Sequence, residues 1–245
     1  MHRFFVEPTQ IKNNNISIYG EDVKHISKVL RLKNNDKIII CNGQGTDYEC
    51  IIKNINKEEI VTEIISSRSS SGEPKVKITL FQGVTKSDKM NIVIQKCVEM
   101  GIYKIVPVIT DRTIVKIENE KKEKSKLLRW QKISEAAAKQ SQRGIIPNIT
   151  EIITFSEAIK EAKKIDFKVI AYEKEKINHL KDIFKKFEGR DIAIFIGPEG
   201  GFTEEEISLA KENNIIPITL GKRILRTETA GLFLLSIMMY EIGEV

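Results

Sequence analysis

Near the end of the chain, two short glycine-bearing loops each join an apolar strand-like run to a helix-like run. They are Phe195-Ile196-Gly197-Pro198-Glu199-Gly200-Gly201-Phe202-Thr203 and Leu220-Gly221-Lys222-Arg223-Ile224-Leu225-Arg226-Thr227-Glu228-Thr229-Ala230. A strand–turn–helix unit repeated after about twenty residues points to parallel strands, because these need a crossover where antiparallel ones need only a turn. Both loops then fall beyond the carboxyl ends of their strands, at one edge of the sheet, where α/β proteins place ligands.

The same alternation runs back to residue 76. Strand-like runs occur at Val76–Gln82, Ile102–Ile109, Ile149–Ile153, Phe167–Tyr172, Asp191–Ile196 and Ile215–Leu220. Helix-like runs occur at Asp88–Met100, Asn119–Ser141, from Ser156, Ile177–Phe187, Thr203–Asn213 and Thr229–Ile242. The pattern predicts an α/β domain, a mostly parallel sheet covered on both faces. Before it lies the polar, small-residue stretch Ser66–Pro74, which reads as a linker. Ahead of that, short β-like runs (Ile16–Ile18, Lys37–Cys41, Tyr48–Ile55, Ile60–Ile65), a turn at Asn42–Gly45 and one short helix at Glu21–Val29 suggest a small β-barrel. The expected domains are residues 1–70 and 74–245.

Composition narrows the chemistry. No run of eighteen apolar residues is present, so no membrane span is expected. The start, Met1-His2-Arg3-Phe4-Phe5-Val6-Glu7, lacks a signal region, so the expected location is the cytoplasm. Cys41, Cys50 and Cys97 show no metal-ligand spacing; reduced, buried thiols and no metal are expected. The histidines His2, His25 and His179 lie in no nucleophile motif. The net charge of +6 suits a polyanionic partner such as nucleic acid. Lys116–Lys132 carries seven cations and three glutamates, either a solvated helix face or an RNA-facing surface.

The loops themselves exclude the common nucleotide motifs. GxGxxG and GxxxxGK[ST] are absent, and Glu199 lies inside the first turn, where it would repel a phosphate. The ligand is therefore expected to be neutral or cationic. Thr203 and Glu206 form a capping box for the helix that follows. In the second loop, Ile224 and Leu225 either fill the core or wall an apolar slot for a flat ring. Thr229 is the expected N-cap of the final helix.

The segments GPEGGFTEEEI and LGKRILRTETA resemble the signature of the ribosomal RNA small subunit methyltransferase E family. Further segments are similar in the same order: Met1–Val6, His25 with Val29-Leu30-Arg31-Leu32, Lys86–Gly101, Ile109–Arg112 and Trp130–Arg143. The chain departs from the family pattern at Lys222, where proline is common, and at Cys97 and Met100. The resemblance implies a PUA-like N-terminal domain and a SPOUT domain with a deep trefoil knot. It implies S-adenosylmethionine as cofactor and N3 of a uridine in 16S rRNA of the small ribosomal subunit as target, with a homodimer as the assembly. The cofactor slot would involve Tyr172, Ile196, Gly197, Pro198, Glu199, Gly200, Leu220, Gly221, Ile224, Leu225 and Thr229. Methyl transfer to N3 needs a cation for the developing uracil anion and an acceptor for its proton. Arg226 is the expected cation, and Glu199 or Glu228 the acceptor or the group that orients Arg226. Arg3, Arg31, Lys89, Lys96, Arg112, Gln140 and Arg143 are the candidate RNA contacts.

Overall fold

A computed structural model describes residues 1–114, 119–184, 187 and 189–244, with only the main chain of Ser87 and Glu120. Part of the Lys116–Lys132 stretch and residues 185–186 of the helix expected at Ile177–Phe187 therefore lie outside the described residues. Two compact units are present: Met1–Glu73 with Ala138–Ile146, and Pro74–Ala137 with Pro147–Val245.

The first unit contains β1 (Arg3–Phe5), β2 (Ile11–Lys12), β3 (Asn15–Tyr19), α1 (Glu21–Lys24), β4 (Lys37–Cys41), β5 (Thr46–Ile55) and β6 (Glu59–Ser69). They form one sheet in the order β1-β4-β5-β6-β3-β2, with only β1 and β4 parallel. Alternating side chains build its core, including Ile16, Ile18, Ile38, Ile40, Ile52 and Ile60. The expected helix at Glu21–Val29 is α1 followed by a π turn at His25–Val29.

The stretch expected as a linker is mostly structured. Ser66–Ser69 pair with Thr46–Glu49 as the end of β6, so their main chain is satisfied in the ladder. Ser70 Oγ donates to Asp47 at 2.6 Å. The Glu73 carboxylate accepts from the Arg143 guanidinium at 2.6 Å and from the main-chain N–H groups of Gly144 and Ile145. Small polar residues here serve close packing rather than freedom: a Cβ on Gly144 would lie 2.1 Å from Ser70 Cβ.

The second unit contains β7 (Lys77–Gly83), α2 (Ser87–Glu99), β8 (Lys104–Ile109), α3 (Glu120–Gln140), β9 (Asn148–Ile149), β10 (Ile153–Thr154) and α4 (Phe155–Ala162). It continues with β11 (Phe167–Ala171), α5 (Leu180–Phe184), β12 (Asp191–Ile196), α6 (Glu204–Glu212), β13 (Ile216–Ile218) and α7 (Thr227–Glu241). The last residues of α3 are counted with the first unit. All strands are parallel, in the order β10-β8-β7-β12-β11-β13, with β9 beside β8. This order is compatible with the threading of a trefoil knot. The run expected as one strand at Ile149–Ile153 is two short strands, β9 and β10, separated by Thr150–Ile152.

Near-continuous apolar runs mark strands buried on both faces. Phe81 of β7 and Phe195 of β12 stack with ring centroids 4.4 Å apart, in a core that Ile170, Phe155, Phe202 and Ile207 complete. On the helix α2, Met90, Val93, Ile94, Cys97 and Val98 form a stripe at helical spacing, all fully buried. The corresponding stripe of α7 is Ala230, Gly231, Leu234, Leu235, Met238 and Met239, and α2 and α7 pack together. The three thiols are free and buried, and burial pushes Cys97 up to about 12.

Candidate active site

The carboxyl ends of β11, β12 and β13 open into a cavity of about 410 Å³. Its walls come from Ala171–Glu173, Ile196–Glu199, Gly201, Thr219–Thr227, Ala230 and, from α2, Lys89. The two glycine-bearing loops thus meet at one site, although β11 stands between β12 and β13 in the sheet. Gly221 carries φ +104°, a conformation that favours glycine. Gly83, at the end of β7, lies under the first loop: a Cβ there would come within 2.4 Å of Pro198 N. The capping box forms as expected. Thr203 Oγ1 accepts from Glu206 N at 3.2 Å, and Glu206 accepts from Thr203 N at 2.8 Å.

One threonine ties the loops together. Thr227 Oγ1 donates to Gly197 O at 2.6 Å and accepts from Gln82 Nε2 at 3.0 Å. Helix α7 begins at Thr227 with Arg226 as its N-cap residue, not at Thr229. The reason is tertiary: the Gly197 carbonyl and Gln82 fix the first turn two residues earlier. Thr229 is exposed and off the cavity wall.

Most of the expected cofactor residues gather here: Tyr172, Ile196, Gly197, Pro198, Glu199, Leu220, Gly221, Ile224 and Leu225 all line the cavity. Gly200 does not; Arg112 lies over it and donates from Nη1 to its carbonyl at 2.9 Å. Leu225 is half-buried, whereas Ile224 is 89% exposed and fills no core. Lys89, Glu173, Thr227, Lys222 and Arg223 line the cavity as well, and sequence reasoning had not placed them there. Lys89, Lys222, Arg223 and Thr227 carried a usable signal, since each lies in a segment singled out for other reasons; Glu173 lies in none.

Arg226 lines the cavity with a side chain 81% exposed, its Nη1 4.0 Å from Glu228 Oε1. Lys89 Nζ is 3.1 Å from Glu199 Oε1 and 3.7 Å from Glu228 Oε2. Burial raises the Glu199 carboxyl, but main-chain hydrogen bonding at Glu199 and then the Lys89 ammonium outweigh it and hold the group below its ordinary value. Glu228 is not on the cavity wall.

The candidate RNA contacts divide. Arg143 is buried and held by Glu73, and Arg3 makes a two-pronged, largely buried pair with Asp47 at 2.6 and 3.0 Å. Both were expected on an RNA surface; instead their forks satisfy the buried Asp47 and the partly buried Glu73 carboxylates. Lys89 faces the cavity and Arg112 holds the first loop. Arg31 and Gln140 are exposed, and the half-exposed Lys96 pairs with Glu99 at 2.8 Å. Among the described residues, no group of His, Cys, Asp or Glu is arranged to hold a metal, and no helix is long and apolar enough to cross a membrane.

Residues 72–239 match the family model of an RNA methyltransferase domain, and residues 18–65 that of an RNA methyltransferase PUA domain. Ribosomal RNA small subunit methyltransferase E of Bacillus subtilis (strain 168) is 34% identical, the alignment covering 98% of this chain and 97% of that protein. The protein of the same name from Mesomycoplasma hyopneumoniae (strain 232) is 36% identical, over 96% of this chain and 98% of its own. A crystal structure of ribosomal RNA small subunit methyltransferase E from Neisseria gonorrhoeae bound to S-adenosyl methionine superposes with a TM-score of 0.86 at 32% identity, covering 98% of both chains. With most of its length matched by the two family models and 98% of it by a relative 34% identical, the chain belongs to the ribosomal RNA small subunit methyltransferase E family.

Proposed function

We propose that this chain is an S-adenosylmethionine-dependent methyltransferase that acts on N3 of a uridine in the 16S rRNA of the small ribosomal subunit, working in the cytoplasm as a homodimer. The observation that carries the reading is the cavity at the strand ends, walled by both signature loops, in a chain related over its full length to enzymes of that name.

The residues present fit this cofactor. The volume of about 410 Å³ lies in the range of small-molecule sites, roughly 300–1,000 Å³. Ile196, Leu220 and Leu225 beside Tyr172 suit an adenine ring, and the carboxylates of Glu173 and Glu199 suit a cationic ligand. Bound there, the cofactor supplies an electrophilic methyl group. The chain itself would do the rest. Arg226, at the exposed edge of the cavity, stabilises negative charge on a uracil carbonyl. Glu199, kept ionised on the wall, accepts the N3 proton. Glu228, behind the wall, acts through its neighbours. Arg31, Lys96 and Gln140 remain exposed for RNA contact. For the homodimer, α7 exposes Phe233 and Tyr240 and α2 exposes Ile92, an apolar surface suited to a second copy. Sedimentation of the purified chain tests that part; a monomer at micromolar concentration would refute it.

The decisive experiment maps methylated positions in small-subunit RNA from a strain lacking this gene, complemented with wild type or with Arg226→Ala. Wild type is expected to restore N3-methyluridine at one position. Arg226→Ala is expected to lower kcat by about 10²–10³-fold, with calorimetric affinity for S-adenosylmethionine nearly unchanged. Full turnover in the variant would remove Arg226 from the mechanism, and methylation at another nucleotide would correct the target.

A further inference from the structure

We infer that Lys89 is a positioning residue of the reaction, the shared counter-ion that fixes Glu199 on the cavity wall and Glu228 behind it. This rests on the methyl-transfer reading above. Three separate elements converge: Lys89 from the first turn of α2, Glu199 from the loop after β12, and Glu228 from the first turn of α7. The ammonium is 3.1 Å from Glu199 Oε1 and 3.7 Å from Glu228 Oε2, so both carboxylates sit within reach of one cation.

Glu228 shows why the cation is needed. Its side chain is 16% exposed, and its Oε2 is buried without a hydrogen-bond partner. A buried carboxylate oxygen with no donor is tolerated only near a compensating charge. Arg226 stands 4.0 Å from the other oxygen, but its side chain is 81% exposed and its attraction is screened by water. Lys89, 30% exposed, is the cation on the inner side. Without it, the two carboxylates that share this ammonium would lose the cation between them, and neighbouring like charges disfavour one another's ionised form. The other charged groups around the cavity are Glu173 after β11 and Lys222 and Arg223 in the loop after β13. None of these makes an ion pair with Glu199 or Glu228 among those described. An RNA-backbone role for Lys89 would leave both carboxylates without this partner.

The consequence has a sign. Glu199 titrates below its ordinary value although burial opposes this, and Lys89 contributes to the lowering. In wild type the charge on Glu199 is lost at a pH below the group's ordinary value; without Lys89 it is lost at a higher pH. The test compares wild type, Lys89→Met and Lys89→Arg. It uses carbon-detected NMR titration of the glutamate carboxyls in the cofactor-free protein, the pH profile of kcat, and KM for RNA and for S-adenosylmethionine. Lys89→Met is expected to move the Glu199 titration upward, carry the acid limb of kcat up with it, and lower kcat by about tenfold or more, while KM for S-adenosylmethionine changes less. Lys89→Arg is expected to restore both the titration and kcat. An unmoved Glu199 titration in a folded Lys89→Met protein overturns the inference, as does an equal defect in both variants. Should Lys89→Met fail to fold, Glu228→Gln replaces it: freeing Lys89 for Glu199 alone is expected to lower the Glu199 titration, and no change overturns the inference. If the titration shifts as expected but wild type transfers no methyl group to RNA, the methyl-transfer reading fails and the Lys89 clamp stands.

Discussion

At Thr227 a single hydroxyl serves two partners from two different strand ends, the Gly197 carbonyl and the Gln82 amide. Gln82 is fully buried, and its Oε1 has no partner, so its amide depends on the two contacts that Nε2 makes, to Thr227 and to Gly83 O. Thr227→Val keeps the shape and removes the hydroxyl. It is expected to cost about 1–3 kcal/mol, because a buried donor and a carbonyl lose their partner together. The loops would lose their register as well, so calorimetric affinity for S-adenosylmethionine should fall along with the melting temperature; a variant that melts and binds like wild type would contradict this. Local chemistry points to Thr229 as the N-cap, yet the helix starts at Thr227. Which hydroxyl starts the helix is decided by Gly197 and Gln82, some thirty and 145 positions away. Arg3 and Arg143 teach the same lesson: their charge was legible, but their burial against Asp47 and Glu73 is a property of the packed chain.

Elements were more legible than their uses. The capping box at Thr203 and Glu206, the buried strands and the apolar stripe of α2 follow from local chemistry and period, and each lies where the residues point. The polar stretch from Ser66 was misleading because serine and glycine signal both looseness and close packing; only the partner residues Thr46–Glu49, Asp47 and Gly144 distinguish the two. The approach of β7 to the loop after β12 is the sharpest such case. An added methyl at Gly83 meets main chain, Pro198 N at 2.4 Å and Gly197 C at 2.8 Å, neither of which is the end of a flexible side chain. Gly83→Ala is therefore expected to destabilise the second unit by about 3 kcal/mol through overpacking. It should also displace the Gly197–Glu199 turn and weaken cofactor binding. Thermal unfolding with a binding isotherm checks both; an unchanged melting temperature would mean that the loop moves freely.

For the whole molecule, the first unit is not a continuous piece of chain, because Ala138–Ile146 belongs to it. A fragment ending at Glu73 would lose the Arg143 guanidinium and two main-chain donors from one carboxylate. Removing one partner of a buried charged pair costs about 3–5 kcal/mol, comparable to the net stability of a small domain. The fragment Met1–Glu73 is expected to be unfolded by circular dichroism under conditions where the full chain is native, and a cooperative melt matching that of the full chain would refute this. The sheet order of the second unit has a parallel consequence for biosynthesis. The place between β7 and β11 is filled by β12, the penultimate strand of the sheet to be made. As the chain leaves the ribosome, the sides of β7 and β11 that will receive β12 therefore carry unpaired N–H and C=O groups until residues 191–196 arrive. Such edges are templates for wrong partners, and parallel pairings of long sequence separation form slowly. The arrangement that brings the two signature loops to one cavity thus makes the nascent chain most vulnerable to aggregation in the interval before its last strands emerge.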